Sequence, residues 1–183
     1  MSMILRANYN IPQSLIQEAL DYAVKSRAFT SNRHDFHNGG LNNKQQKMFE
    51  GKLGEKIVKL FLQENSIIFE EDNSDFKEAD LFDFKLPNGY LIDVKTRTKD
   101  FHIRTLELVE QFQQKPKDIY ISVRLNNDLS SGHIVGWFSK KDLLRINRIE
   151  NHGYLDNYTM YDKDLRNIKQ LYDLCLKDFV FSP

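Results

Sequence analysis

The sequence predicts a single α/β domain in which helices cover a mixed β-sheet. The chain has 183 residues, which suits one domain with a sizeable core. Its 40% hydrophobic and 12% aromatic residues are typical of a folded globular protein. Predicted elements follow in the order helix, three strands, helix, strand, strand. We place the core at about 44–146 of the single domain 1–183, with helical additions in 1–43 and 147–183.

The N-terminal third is predicted to be helical. In 12–29, apolar residues recur at three- and four-residue steps after Pro12, which predicts an amphipathic helix. The polar segment 30–43 predicts a loop. A longer helix is predicted over 44–64, where Met48 and Phe61 bound another series of apolar residues at helical spacing.

The middle of the chain alternates between strands and helices. Short apolar runs predict strands at 66–70, 79–85 and 90–96, and Leu86-Pro87-Asn88-Gly89 predicts the hairpin turn that joins the last two. We expect these three strands to form an antiparallel meander. A helix at 104–114 would return the chain to a parallel fourth strand. The remaining predicted elements are strands at 118–125 and 133–138 and helices at 139–146 and 162–177.

Charge and cysteine content exclude several classes of protein. The net charge is zero, with 26 basic and 26 acidic residues, which argues against indiscriminate coating of nucleic acid but leaves room for a local basic groove. No apolar stretch approaches a membrane span. The single cysteine, Cys175, lies in an apolar helical pattern and predicts a core residue in a reducing, cytoplasmic protein. His34 and His37 are better explained as loop residues than as a zinc site.

The pattern that carries chemistry is Asp93-Val94-Lys95 in the third predicted strand. Residues two apart share a face of a strand, so Asp93 and Lys95 are neighbours. A four-residue hairpin loop closed by Lys85 and Tyr90 would place Asp80 opposite Lys95. A shift of one residue would turn Asp80 to the wrong face. In the expected register the neighbouring acid Asp83 faces away from Asp80.

These groups suit phosphodiester hydrolysis. Two carboxylates can hold Mg²⁺, with Mn²⁺ able to substitute, and the metal stabilises developing charge and acidifies a bound water. Lys95 beside two carboxylates would stay charged and act electrostatically rather than as a base. Glu55 lies on the preceding helix, directly after Gly54 and four residues after Gly51. The glycines indicate close approach, either by a substrate or by the sheet on which the helix packs.

With these residues the chain resembles the PD-(D/E)XK nuclease superfamily, which has the restriction-endonuclease-like fold. The matching positions are Gly54-Glu55, Asp80 and Asp93-Val94-Lys95, and one departure is Ala79 where the motif has proline. The resemblance covers nearly half the chain and implies an αβββαβ core. It also implies that Asp80, Asp93 and Lys95 are catalytic, that Asp80 and Asp93 bind Mg²⁺, and that Glu55 is an auxiliary acid at the metal.

The function expected from this resemblance is Mg²⁺-dependent cleavage of DNA by a restriction-like endonuclease, of a size that suits a homodimer. The basic stretch after Lys95 would then contact DNA through four residues: Arg97, Lys99, His102 and Arg104. A solvated surface is the alternative explanation of that stretch. Two other functions stay open. One is a repair or recombination nuclease acting on ends or junctions, and the other is a non-catalytic nucleic-acid-binding protein.

Overall fold

The computed structural model describes residues 6–26, 41–72, 81–151 and 153–177, with only the backbone at positions 41 and 42. The helices are α1 (Gln13–Lys25), α2 (Leu41–Glu64), α3 (Val109–Gln114), α4 (Lys140–Ile146) and α5 (Ile168–Lys177). The strands are β1 (Asn8–Asn10), β2 (Glu70–Glu71), β3 (Phe84–Lys85), β4 (Leu91–Arg97), β5 (Arg104–Leu108), β6 (Ile119–Leu125), β7 (Ser131–Ser139), β8 (Ile149–Asn151) and β9 (Asp156–Tyr161). A 3₁₀ turn, Asp162–Asp164, precedes α5.

The main sheet has six strands in the order β1-β7-β6-β4-β3-β2. Strands β2, β3 and β4 form the predicted antiparallel meander, and β6 pairs in parallel with β4, as expected. The mixed α/β class is therefore confirmed. Within the described residues, no helix is long and apolar enough to cross a membrane. Cys175 is buried in α5, as predicted.

Helix α2 covers one face of this sheet. Its apolar side chains, among them Leu53, Ile57 and Phe61, are fully buried. A Cβ added at Gly54 would overlap the Thr96 side chain of β4, whereas a Cβ at Gly51 would meet nothing within 4 Å. The absence of a side chain at Gly54 therefore allows α2 to pack closely against β4. Packing of the helix on the sheet, the second of the two explanations given above, accounts for this glycine.

The chain after β4 departs from the predicted elements. The expected helix 104–114 is wrong in its first half, where β5 precedes the short helix α3. Strand β5 pairs with β9, and β9 with β8, in a second three-stranded sheet. The C-terminal addition is therefore partly β-structure rather than helical, and α5 is shorter than the predicted helix 162–177. Long-range pairing with β9 overrides the helical spacing of apolar residues in 104–114.

The hairpin between β3 and β4 has a different register from the predicted one. Lys85 lies opposite Leu91 rather than Tyr90, and Phe84 lies opposite Ile92. Leu86 N donates to Tyr90 O, so Lys85 pairs one residue further along the chain than predicted. Gly89, at φ 86°, adopts the left-handed conformation with which the turn closes. Continued by one residue, this register places Asp83, rather than Phe82, beside Asp93. Part of the predicted strand 79–85 lies outside the described residues.

The two glycines of α2 give a matched pair of substitutions. We expect Gly54→Ala to lower the free energy of unfolding by about 1–3 kcal/mol, because a methyl group must displace Thr96 in a tightly packed contact. Gly51→Ala should instead raise it by about 1 kcal/mol, since only helix propensity changes there. Urea denaturation of both variants measures the difference. Equal effects of the two substitutions would contradict the packing explanation.

Candidate active site

The centre of the site is the ammonium group of Lys95, which lies between two carboxylates. Its Nζ is 2.9 Å from Asp93 Oδ2, on the same face of β4, and 2.6 Å from Glu107 Oε2. Burial disfavours the charge, but the two carboxylates outweigh it and raise the pKa of Lys95 well above its ordinary value. The expectation that Lys95 stays charged between two acids is met, although its second acid is Glu107.

Glu107 was missed by the sequence prediction. It lies on β5 of the second sheet, its side chain is only 1% exposed, and the Tyr120 hydroxyl donates to its Oε1 at 3.5 Å. Burial raises the pKa of Glu107 and the charge of Lys95 opposes that rise. The available signal was the alternating pattern of β5, in which Thr105 and Glu107 are both buried. A helical interpretation of 104–114 conceals that alternation.

Asp83 also belongs to the site, although it was expected to face away from it. The shifted hairpin register brings its partly buried carboxylate to β4, where Val94 N donates to Oδ2 at 2.6 Å. Desolvation, followed by the charges of Glu55 and Asp93, raises the pKa of Asp83 well above its ordinary value, with Lys52 opposing the rise. Asp83, directly before β3, therefore bears electrostatic repulsion from Glu55 of α2 and Asp93 of β4.

Of the other two predicted catalytic residues, the structure describes Glu55 but not Asp80. Glu55 lies on α2 as expected, partly buried, and its Oε2 accepts from Lys52 Nζ at 2.9 Å. Its charge reaches Asp83, which connects it to the site. Asp80 lies outside the described residues, so its convergence with Asp93 and Lys95 stays a prediction. His34 and His37 also lie outside them.

The predicted DNA-binding residues separate into two groups. Arg97 is buried, pairs with Asp162 at 2.8 Å and donates to His102 O at 2.6 Å, so its guanidinium braces the protein instead of facing solvent. Lys99, His102 and Arg104 are exposed around the loop that follows β4. Only these three present their side chains where a ligand could meet them.

The donors suit a hard divalent cation in kind, though they are not arranged around one. Among the described residues, no three His, Cys, Asp or Glu side chains form a ready metal-binding group. Asp93 Oδ2 is paired with the Lys95 ammonium at 2.9 Å, but Asp83 bears the repulsion of two further carboxylates, Glu55 and Asp93. A divalent cation would relieve that repulsion, and oxygen ligands are what Mg²⁺ prefers.

No protein-family model matches the chain, and no curated protein matches its sequence.

The contact between Lys95 and Glu107 can be measured by a double-mutant cycle. We expect Lys95→Met and Glu107→Gln each to destabilise the fold, and the double variant to lose less than the sum. Each single change leaves a buried partner poorly compensated, so the coupling should exceed about 1 kcal/mol. Urea denaturation of the four proteins gives the value.

The exposed pair Lys169–Asp173, at 3.1 Å on α5, is the matched control for that cycle. Its coupling should be about 0.5 kcal/mol or less, as for other solvated pairs one helical turn apart. Additive effects at Lys95 and Glu107 would show that the two groups do not stabilise each other.

Asp83 should make the stability depend on pH. Because its pKa is raised in the folded protein, its charge destabilises the fold progressively as the pH rises above the ordinary value of 3.8. Asp83→Asn keeps an acceptor for Val94 N and removes the charge. We therefore expect a higher Tm than wild type near pH 7.5 in EDTA, and no difference near pH 3. The Tm is measured by circular dichroism.

Asp100→Asn, the same change at an exposed loop position, is the control and should leave the Tm unchanged at both pH values. A Tm of Asp83→Asn below that of wild type near pH 7.5 would mean that the Asp83 charge is stabilising, contrary to the acid cluster described above.

Proposed function

We propose that the protein is a metal-dependent nuclease that hydrolyses DNA phosphodiester bonds, a PD-(D/E)XK enzyme with a restriction-endonuclease-like core. The observation that carries the proposal is Asp93 of β4, which pairs with the charged ammonium of Lys95 and whose own charge acts on the carboxylate of Asp83. The antiparallel meander followed by a parallel strand supports it, since this is the strand arrangement that the resemblance implies.

Three acids are the candidate ligands for Mg²⁺ or Mn²⁺: Asp93, Asp83 and Glu55. Asp80 stays a further candidate from the segment before Asp83. When bound, the metal supplies a Lewis acid that stabilises charge on a phosphate and lowers the pKa of a water molecule. Asp83 takes the place in this proposal that the sequence prediction gave to Asp80 alone, because the observed hairpin register brings it beside Asp93.

Lys95 supplies positive charge to the phosphate. Its ammonium holds its proton, since both Asp93 and Glu107 raise its pKa, so it acts by donating hydrogen bonds and not as a base. Glu107 is a positioning residue. Its Oε2 lies 2.6 Å from Nζ, so the lysine keeps an acid partner when Asp93 engages another cation.

A restriction-like endonuclease is the form of nuclease that we propose first, acting as a homodimer in which two sites cut two strands. A nuclease that acts on ends or junctions would use the same groups. A non-catalytic DNA-binding protein is disfavoured, because a lysine between Asp93 and Glu107 with Asp83 nearby is a grouping of charges typical of functional sites.

A cleavage assay tests the proposal. Purified protein is incubated with supercoiled, linear and single-stranded DNA in Mg²⁺, Mn²⁺ or EDTA, and the products are separated on gels. We expect metal-dependent cleavage, and a loss of about a hundredfold or more in Lys95→Ala and Asp83→Asn, because each removes a charged group from the reaction centre. The Asp83 variant is the sharper one, since it is expected to fold at least as stably as wild type.

Lys85→Ala is the control, because Lys85 is an exposed lysine of β3 that pairs with Glu70 at 3.6 Å. It should cleave like wild type. The nuclease proposal fails if wild type cuts none of the three substrates with either metal, or if Lys95→Ala and Asp83→Asn cut as well as Lys85→Ala does.

A further inference from the structure

The loop between β4 and β5, residues 98–103, carries large apolar side chains in solvent. Phe101 is 76% exposed and Ile103 is 55% exposed. The Phe101 ring meets only the edge of its neighbour His102, with ring centroids 4.6 Å apart and planes at 80°. Single exposed apolar residues are common on protein surfaces, but two of them on one short loop beside a charged site call for an explanation.

Hydrogen bonds from Arg97, Arg124 and Asp162 fix the backbone of this loop. Arg97 Nη1 and Arg124 Nη2 both donate to His102 O, at 2.6 Å and 3.1 Å. Asp162 N donates to Ile103 O at 3.0 Å, and its carboxylate pairs with both arginines. The loop therefore presents Phe101 from a fixed backbone, so little conformational entropy is lost when something binds to the ring.

The surroundings of Phe101 are basic. Lys99, His102 and Arg104 are exposed around it, against one acid of the loop, Asp100. The loop also adjoins the candidate site, because Arg97 lies only two residues beyond Lys95 on the same face of β4, about 7 Å along the strand. An aromatic ring among cations, close to a phosphate-cleaving centre, has the chemistry of a surface for single-stranded nucleic acid.

We propose that the Phe101 ring stacks on an unpaired base of the DNA strand that enters the site, while Lys99 and Arg104 contact its phosphates. The nucleic-acid partner rests on the proposed function. The inference adds that the preferred substrate contains unpaired bases, as in a single strand, a flap or a junction, because a base inside a duplex has no face open to the ring. Between the two forms of nuclease proposed above, it therefore favours the one that acts on ends or junctions over the restriction-like one.

Equilibrium binding tests this proposal separately from cleavage. Fluorescence anisotropy follows the binding of a labelled single-stranded oligonucleotide, and of its duplex, in EDTA so that no substrate is consumed. We expect Phe101→Ala to weaken binding of the single strand about tenfold, the loss of one stacked base, and to weaken duplex binding much less. Phe101→Tyr should restore binding, since any aromatic ring offers the same face.

Tyr154→Ala is the matched control. Tyr154 is another exposed aromatic side chain, 81% exposed, in the turn before β9 at the opposite end of the second sheet. It should bind both probes like wild type. Phe101→Trp offers a direct signal, because its fluorescence should be quenched by the single strand; Trp137, the one tryptophan of the sequence, is buried and provides the background.

Equal binding of the single strand by Phe101→Ala and Tyr154→Ala overturns the proposal. So does a loss of self-association in Phe101→Ala, seen by sedimentation with DNA binding unchanged, which would assign the patch to a second copy of the chain. Failure of the nuclease proposal looks different. A protein that cuts no DNA, yet binds single strands through Phe101, keeps this inference and loses the catalytic one.

Discussion

The charge of Lys95 is the constraint on which the rest of the structure depends. Because the Lys95 side chain is only 23% exposed, its charge must be compensated, and the compensation comes from Asp93 on its own strand and from Glu107 on β5. Because β5 belongs to the second sheet, this ion pair joins the two sheets. Thr105 Oγ1 donates to Ser122 Oγ at 2.9 Å beside it and extends the polar contact between them. The second sheet is thus part of the site.

The two faces of β4 make different kinds of contact, apolar on one side and ionic on the other. One face, with Ile92 and Thr96, lies against α2 and depends on apolar contact and the small size of Gly54. The other carries Asp93, Lys95 and Arg97. Its two cations pair with acids that follow later in the chain, Lys95 with Glu107 and Arg97 with Asp162, whereas Asp93 pairs with Lys95 itself. A buried row of alternating charge specifies its partners strongly, because an unpaired member would be costly.

Sequence reasoning succeeds where local pattern and tertiary contact agree. Helix α2, strands β4, β6 and β7, and the parallel pairing of β4 with β6 follow from the periodicity of apolar residues and from element order. It fails at β5, where a partner more than fifty residues away decides the conformation, and at the β3–β4 hairpin, where one residue in the turn changes every pairing. Asp93, Lys95 and Glu55 were found because their motif is local. Glu107 and Asp83 were missed because their positions depend on those two long-range decisions.

The register of the β3–β4 hairpin also bears on which aspartate before it, Asp80 or Asp83, is the better candidate for the site. Of the two, only Asp83 lies among the described residues. The observed register favours Asp83, whose carboxylate already accepts from Val94 N and is repelled by Glu55 and Asp93. A fold gains nothing in stability from gathering like charges. Carboxylates gathered beside Lys95 are, however, what the proposed metal site would require, since a bound cation would offset their mutual repulsion.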